Sequence, residues 1–299
     1  MILKVDNVSK NYGKTVAVEN LSFETDKSEI LGIIGPNGSG KTTIMRIITG
    51  LIKNFEGDVF INGSSVRENR DRRIGCIIEM PGFYPYLSGL ENLKYFSMHS
   101  SIVDEKVFHE YIDLLGLSKA IRKKVSTYSM GMKQRLGILQ SLINKPQLLI
   151  LDEPTNGLDP NGIQEFREYI RKLAKEKNIS VLISSHILSE IEQICDKVVI
   201  LQNGRKLKEI TLNENSRIKR CVYVLNTDQA EKLADFLREE RLQVEEAGRD
   251  HIKVNMGGRD IGEVLAKIYT AGIKLTGITQ DFGSLESEYL DLTGGNRVE

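Results

Sequence analysis

The run Gly35, Pro36, Asn37, Gly38, Ser39, Gly40, Lys41, Thr42 matches the spacing G-x-x-x-x-G-K-[ST], and a second threonine, Thr43, follows. Glycines at these places let the backbone turn its N–H groups onto phosphate oxygens. The lysine then reaches the β- and γ-phosphates of a nucleotide, and the Thr42 hydroxyl is offered to Mg²⁺. Far downstream, Asp152 and Glu153 close the apolar run LLIL. Adjacent carboxylates can divide labour: Asp152 holds Mg²⁺ directly or through water, and Glu153 polarises a water for in-line attack on the γ-phosphate. His186 follows Ser184 and Ser185 at the end of another apolar run. Ligands bind at strand ends of open parallel sheets, so it is either a γ-phosphate contact or a structural histidine. Tyr12, at a turn between two strands, either stacks on an adenine ring or caps a hairpin.

A second anion-seeking element precedes the acids. The segment Tyr128, Ser129, Met130, Gly131, Met132 opens a helix, and a helix start attracts anions through its unpaired N–H groups and its dipole. One chain therefore carries a phosphate-binding loop, an acid pair and a separate helix start, which need not all act on the same nucleotide.

The elements that must position these groups alternate. Two strands joined at Asn11-Tyr12-Gly13-Lys14 open the chain, an apolar strand over 29–35 leads into the glycine loop, and a helix follows over 42–48. Asn62-Gly63 marks a hairpin within 58–66, and 74–78 reads as a buried strand. Residues 90–144 have helical periodicity. Strands over 147–151, 179–184 and 197–201 then alternate with helices from Pro160 and Ile187, the pattern of a parallel α/β sheet. The stretch TLNENSR, 211–217, reads as a linker. Beyond it, strands over 219–225, 242–247, 251–255 and 273–279 and helices over 228–239 and 259–271 give the order β-α-β-β-α-β, the ferredoxin-like order. A last helix is expected over 284–292.

Composition narrows the function classes. The 299 residues suit one large domain and a smaller one. Lys+Arg and Asp+Glu each number 41, so no net field argues for nucleic acid or an anionic membrane, and the basic clusters at 70–73 and 122–124 read as solvated faces. No apolar run reaches the ~18 residues that span a bilayer, and the start lacks a secretory apolar centre, so a soluble cytoplasmic chain is expected. Cys76, Cys195 and Cys221 have neither metal spacing nor a disulfide framework; two of them lie in apolar runs and read as core thiols. His99, His109 and His251 read as surface residues.

Taken together and in order, Tyr12, GPNGSGKTT, Glu79, SMGMK at 129–133, LLILDEP, NGLD at 156–159 and SSH at 184–186 resemble the nucleotide-binding subunit of an ABC transporter over about residues 2–209. The resemblance implies a P-loop NTPase fold, with a RecA-like α/β core, an antiparallel β subdomain and a helical subdomain at about 88–145. These would form an ATP-binding domain over 1–210, followed by the 211–217 linker and a βαββαβ domain over 218–299. It implies ATP and Mg²⁺ as cofactors, with Thr42, Asp152 and Glu79 at the metal. It makes His186 a γ-phosphate sensor and Tyr12 an adenine platform. In the family's ATP-dependent head-to-tail homodimer, Ser129, Met130, Gly131, Met132 and Asp159 would contact the partner's nucleotide. An integral membrane permease would hold the subunit on the inner face of the membrane. Non-transport relatives in DNA repair carry long coiled-coil insertions and those in translation carry two cassettes; this chain shows neither.

Two departures from the family pattern stand out. The usual LSGGQ is here Tyr128-Ser129-Met130-Gly131-Met132, and the Q-loop glutamine is Glu79. With the C-terminal appendage, these resemble the bacitracin-resistance and lantibiotic self-protection group of bacterial ATPases.

Overall fold

A computed structural model of the chain describes residues 1–68, 73–79, 82–98, 105–212, 222–281 and 289. Cys221, His99, Pro81, residues 70–72, most of the 211–217 linker and the helix expected over 284–292 lie outside the described residues. The chain divides into two compact units, Met1–Ile210 and a second beginning at Thr211.

The first unit holds two sheets. β1 (Leu3–Tyr12), β2 (Thr15–Thr25), β4 (Glu56–Ile61) and β5 (Ser64–Ser65) form an antiparallel sheet in the order β2-β1-β4-β5. The larger sheet runs β10-β9-β3-β8-β7-β6, from β3 (Ile30–Ile34), β6 (Ile74–Ile77), β7 (Leu148–Leu151), β8 (Ser180–Ser185), β9 (Lys197–Gln202) and β10 (Arg205–Thr211). Every residue of β3, β7 and β8 is buried, as expected for parallel strands covered on both faces. Because β8 lies between β3 and β7, the chain segments leaving all three strands emerge side by side. This is what assembles the site.

Among the described residues of the first unit, three helix starts carry side-chain caps that fix where each helix begins. α1 (Lys41–Ile48) follows the glycine loop. α2 (Gly89–Ser97) has a capping box between Ser88 and Glu91, and the Ser88 hydroxyl bonded to Glu91 holds that carboxyl below its usual range. α3 spans Glu105–Leu114, a 3₁₀ turn spans Val125–Thr127, and α4 (Met130–Ser141) is capped by Ser129. α5 (Pro160–Lys177) is capped by Asp159, with proline in the first turn. α6 (Leu188–Ile194) leads to buried Cys195, whose thiol pKa burial pushes up. Fully buried Asn92 ties the segment before α2 in place: its amide accepts from Tyr84 N at 2.8 Å and donates to Tyr84 O and Ser88 O at 3.0 Å each.

The second unit pairs β11 (Val222–Asn226), β12 (Gln243–Ala247), β13 (His251–Asn255) and β14 (Gly277–Asp281) antiparallel in the order β12-β13-β11-β14. α7 (Ala230–Glu239) and α8 (Ile261–Thr270) contribute Leu233, Leu237, Val264 and Ile268 to its own core.

Two expectations shift. The last strand begins at Gly277, not at 273. Gly272 at φ 70° ends α8, and Ile273 donates back to Ile268 O at 3.2 Å, so Ile273 packs into the core as a helix cap residue. Cys76 is exposed rather than a core thiol, because it alternates with buried Gly75 and Ile77 and so lies on the opposite face of β6.

Candidate active site

The loop after β3 turns so sharply that only glycine fits at two places. Gly40, at φ 103°, would put a Cβ 2.5 Å from the Ala17 carbonyl, and a Cβ on Gly35 would stand 2.3 Å from the Leu201 carbonyl. The turn aims the α1 N-terminus into a cleft of about 290 Å³. Asn37, Gly38, Ser39, Gly40, Lys41, Thr42 and Thr43 line one side, and Glu153, Asn156 and His186 face them, with Ala17 of β2 at the rim. The Ser39 hydroxyl is buried and has no hydrogen-bond partner. An orphan donor beside a helix N-terminus suits a phosphate oxygen.

Lys41 is 6% exposed and crosses the cleft. Its ammonium donates to Gly35 O at 2.7 Å and Pro36 O at 3.3 Å, and stands 3.3 Å from Glu153 Oε1. The other carboxylate oxygen of Glu153 lies 2.7 Å from His186 Nδ1. Glu153 thus joins the glycine loop to the residue at the end of β8. Its backbone is left-handed at φ 48°, an uncommon conformation for a residue with a long side chain.

The Thr42 hydroxyl donates to Asp152 Oδ2 at 2.7 Å, and the Ser184 hydroxyl donates to Asp152 Oδ1. Ser184 in turn accepts from Glu153 N at 2.8 Å. Thr42 and Asp152 make a hard, two-oxygen donor set. That fits Mg²⁺, which takes one or two protein oxygens and completes its shell with water and phosphate. Among the described residues no group of three or more His, Cys, Asp or Glu side chains could hold a metal by itself.

Other expected site residues stand apart from this cleft. Glu79, at φ 75°, forms an ion pair with Arg46 of α1 and does not line the cleft. The structure brings Thr42 and Asp152 together and leaves Glu79 paired with Arg46. Tyr12 is half-exposed beneath Lys10, whose ammonium lies 5.1 Å from the ring centroid. Ser129, Met130, Gly131, Met132 and Asp159 also lie outside the cleft lining. Ser129 Oγ accepts from Met132 N at 3.3 Å as the α4 cap, and Asp159 Oδ1 accepts from Gly162 N at 3.0 Å as the α5 cap. Met130 is 42% exposed and lies alongside Gly157. Ala17 escaped the sequence reading, and Asn156 and Ser184 entered it only as members of the NGLD and SSH runs, with no role of their own. Ser184 carried a signal: a hydroxyl inside a strand otherwise suited to apolar residues.

A strand, a glycine loop and a lysine–threonine helix start, opposed by an acid-ended strand one place further along the sheet, define a P-loop nucleotide hydrolase. The family described as ABC transporter matches residues 18–156. The uncharacterized ABC transporter ATP-binding protein YdbJ of Bacillus subtilis is 39% identical over 302 residues, covering 100% of this chain and 97% of the relative. The bacitracin transport ATP-binding protein BcrA of Bacillus licheniformis is 38% identical over 305 residues, covering 99% of each. Among solved structures, the cassette MJ0796, dimeric in a post-hydrolysis state bound to ADP and Pi, has a TM-score of 0.62 at 26% identity, covering 71% of this chain and 99% of that one. The chain belongs to the ATP-binding proteins of ABC transporters. It binds ATP, and its activity is ATP hydrolysis coupled to transport. No helix among the described residues is long and apolar enough to cross a membrane.

Proposed function

We propose that this ATPase drives a separate membrane permease exporting peptide antibiotics or related amphipathic compounds, from the inner face of the membrane. The observation that carries the ATPase half is the convergence of Lys41, Thr42, Glu153 and His186 on one cleft, with Asp152 bonded to Thr42 behind it. Support for the substrate class comes from BcrA, to which the likeness extends over the second unit as well as the first.

In this reading Lys41 leaves Glu153 and the loop carbonyls and engages the β- and γ-phosphates. Glu153, released from the lysine and still held by His186, accepts a hydrogen bond from the attacking water and aligns it with the γ-phosphorus. His186 meets the γ-phosphate. The loop N–H groups and the Ser39 hydroxyl bind phosphate oxygens. Thr42 and Asp152 would hold Mg²⁺, which supplies charge neutralisation at the phosphates. Tyr12 stacks on the adenine, and Glu79, if freed from Arg46, would be a further oxygen ligand for the metal or its water.

Ser129, Met130, Gly131, Met132 and Asp159 act in trans, capping the nucleotide of a second copy in a head-to-tail dimer. Closure then depends on the γ-phosphate, which gives hydrolysis a two-state element to move. To test the export reading, the gene is deleted in its host and growth inhibition by bacitracin and lantibiotics is measured. Increased sensitivity is expected, restored by the wild-type gene and not by a Glu153→Gln copy. Unchanged sensitivity to both classes removes the proposed substrate.

The permease docks on the Glu79 loop and the aromatic segment after it. Tyr84 packs against Tyr86 and Tyr95, with ring centroids 5.8 and 5.2 Å apart, and both partners are largely exposed. An exposed cluster of amphipathic rings suits a protein contact. A cysteine crosslinking scan over 80–90 is expected to capture the permease at several positions; a scan with no crosslink anywhere places the contact elsewhere.

The second unit, with its β-α-β-β-α-β order and β12-β13-β11-β14 sheet, is read as a ferredoxin-like regulatory or dimerising module. Its core is separate from that of the first unit. Ending the chain after Thr211 is expected to keep ATP binding and change the hydrolysis rate or the dimerisation constant by at least about fivefold. Identical values in both assays make the unit a bystander.

A further inference from the structure

We propose that Ser184 is a positioning residue for hydrolysis, tying both acids to the glycine-loop helix through one buried hydroxyl. The inference rests on the roles assigned above to Asp152 and Glu153. Ser184 is fully buried at the middle of the sheet, paired with Ile33 of β3 and one step beyond the pairing of Ile183 with Leu151. Packing alone asks for an apolar side chain there, since a buried hydroxyl is costly unless bonded. Both of its bonds go to the acids. The hydroxyl donates to Asp152 Oδ1 and accepts from Glu153 N at 2.8 Å.

With Thr42 donating to Asp152 Oδ2, a continuous path runs from α1 through Asp152 and Ser184 to the Glu153 amide. Two consequences follow. Asp152 has both oxygens oriented, one by the helix carrying the phosphate loop and one by the neighbouring strand. The left-handed backbone of Glu153, which sets where its carboxylate points, is held by an amide bond that no backbone carbonyl supplies. Ser184 does not line the cleft. Its effect passes through the two carboxylates, as an outer partner orients a ligand.

The test compares the full-length chain with Ser184→Ala, Ser184→Thr and Glu153→Gln. Ser184→Ala is expected to lower kcat about 10- to 100-fold with KM for ATP changed less than about threefold. Hydrogen exchange of the nucleotide-free chain, read on peptides covering 148–156, is expected to speed up at the Glu153 amide in the alanine variant. Ser184→Thr keeps the hydroxyl and is expected to retain both the rate and the protection. If the alanine variant does not fold, Ser184→Cys, with its weaker S–H donor, replaces it and is expected to show the same selective loss of kcat. Wild-type kcat in the alanine variant overturns the proposal. So does a lost kcat with the Glu153 amide still protected, or a threonine variant as impaired as alanine. If Glu153→Gln turns over normally, the underlying assignment of Glu153 fails; if it is inactive while Ser184→Ala is not, only the positioning role fails.

Discussion

Glu153→Gln is expected to bind ATP, hydrolyse almost none of it, and accumulate as a nucleotide-bound dimer. The substitution is nearly isosteric and keeps a carbonyl oxygen, so the position opposite His186 remains filled. What it removes is the negative charge and the basicity with which the carboxylate polarises water. General-base assistance of this kind is worth about 10²- to 10⁴-fold in rate, and a loss in that range is expected in steady-state phosphate release. Binding is expected to tighten, because Lys41 no longer has a carboxylate at 3.3 Å to leave. With the γ-phosphate intact, the closed arrangement has no route to reopen by hydrolysis, so gel filtration with ATP should show a dimer that ADP does not produce. An unchanged hydrolysis rate removes Glu153 from its assigned role.

Lys41→Ala is expected to fail one step earlier, at the nucleotide itself. Among the described residues Lys41 is the only lysine or arginine lining the cleft, and it is buried. Losing a preorganised donor to developing negative charge costs about 10²- to 10³-fold, read as lost affinity, lost turnover or both. The change also leaves Glu153 without its cation and the Gly35 and Pro36 carbonyls without their donor, so a lower melting temperature is expected in the absence of nucleotide. ATP titration of the purified variant decides the matter: wild-type affinity together with wild-type turnover contradicts the assignment. The two variants separate binding from chemistry, since one should hold ATP without cleaving it and the other should not hold it.

Much of this site was legible because its chemistry sits at strand ends, and strand ends are visible as apolar runs giving way to polar residues. The glycine loop, Asp152, Glu153 and His186 all announce themselves in that way. Helix starts were legible where a short polar side chain caps them, as at Ser129 and Asp159. Sheet order was not. Nothing local says that β8 inserts between β3 and β7, because parallel strands pair through contacts distant in sequence. The Arg46–Glu79 pair was hidden for the same reason. Residues 273–279 alternate plausibly as a strand throughout, and only the cap at Gly272 and the pairing of Gly277 with Asn226 decide where pairing begins. Ser184 shows a third kind of concealment: its apolar neighbours in sequence flag it, and only its neighbours in space explain it.

The contact between Lys41 and Glu153 makes nucleotide entry an exchange rather than an addition. The cleft's lysine is already neutralised from within, and a second carboxylate, Asp152, is bonded to the next residue, Thr42. One cation facing two anions offers little to a lone small anion passing through solvent. A ligand must displace the internal partner and bring enough charge, arranged over several phosphates and accompanied by a counter-cation, to replace what it breaks. The resting cleft is in that sense a filter: its own carboxylate occupies the lysine until a ligand of several negative charges takes that place.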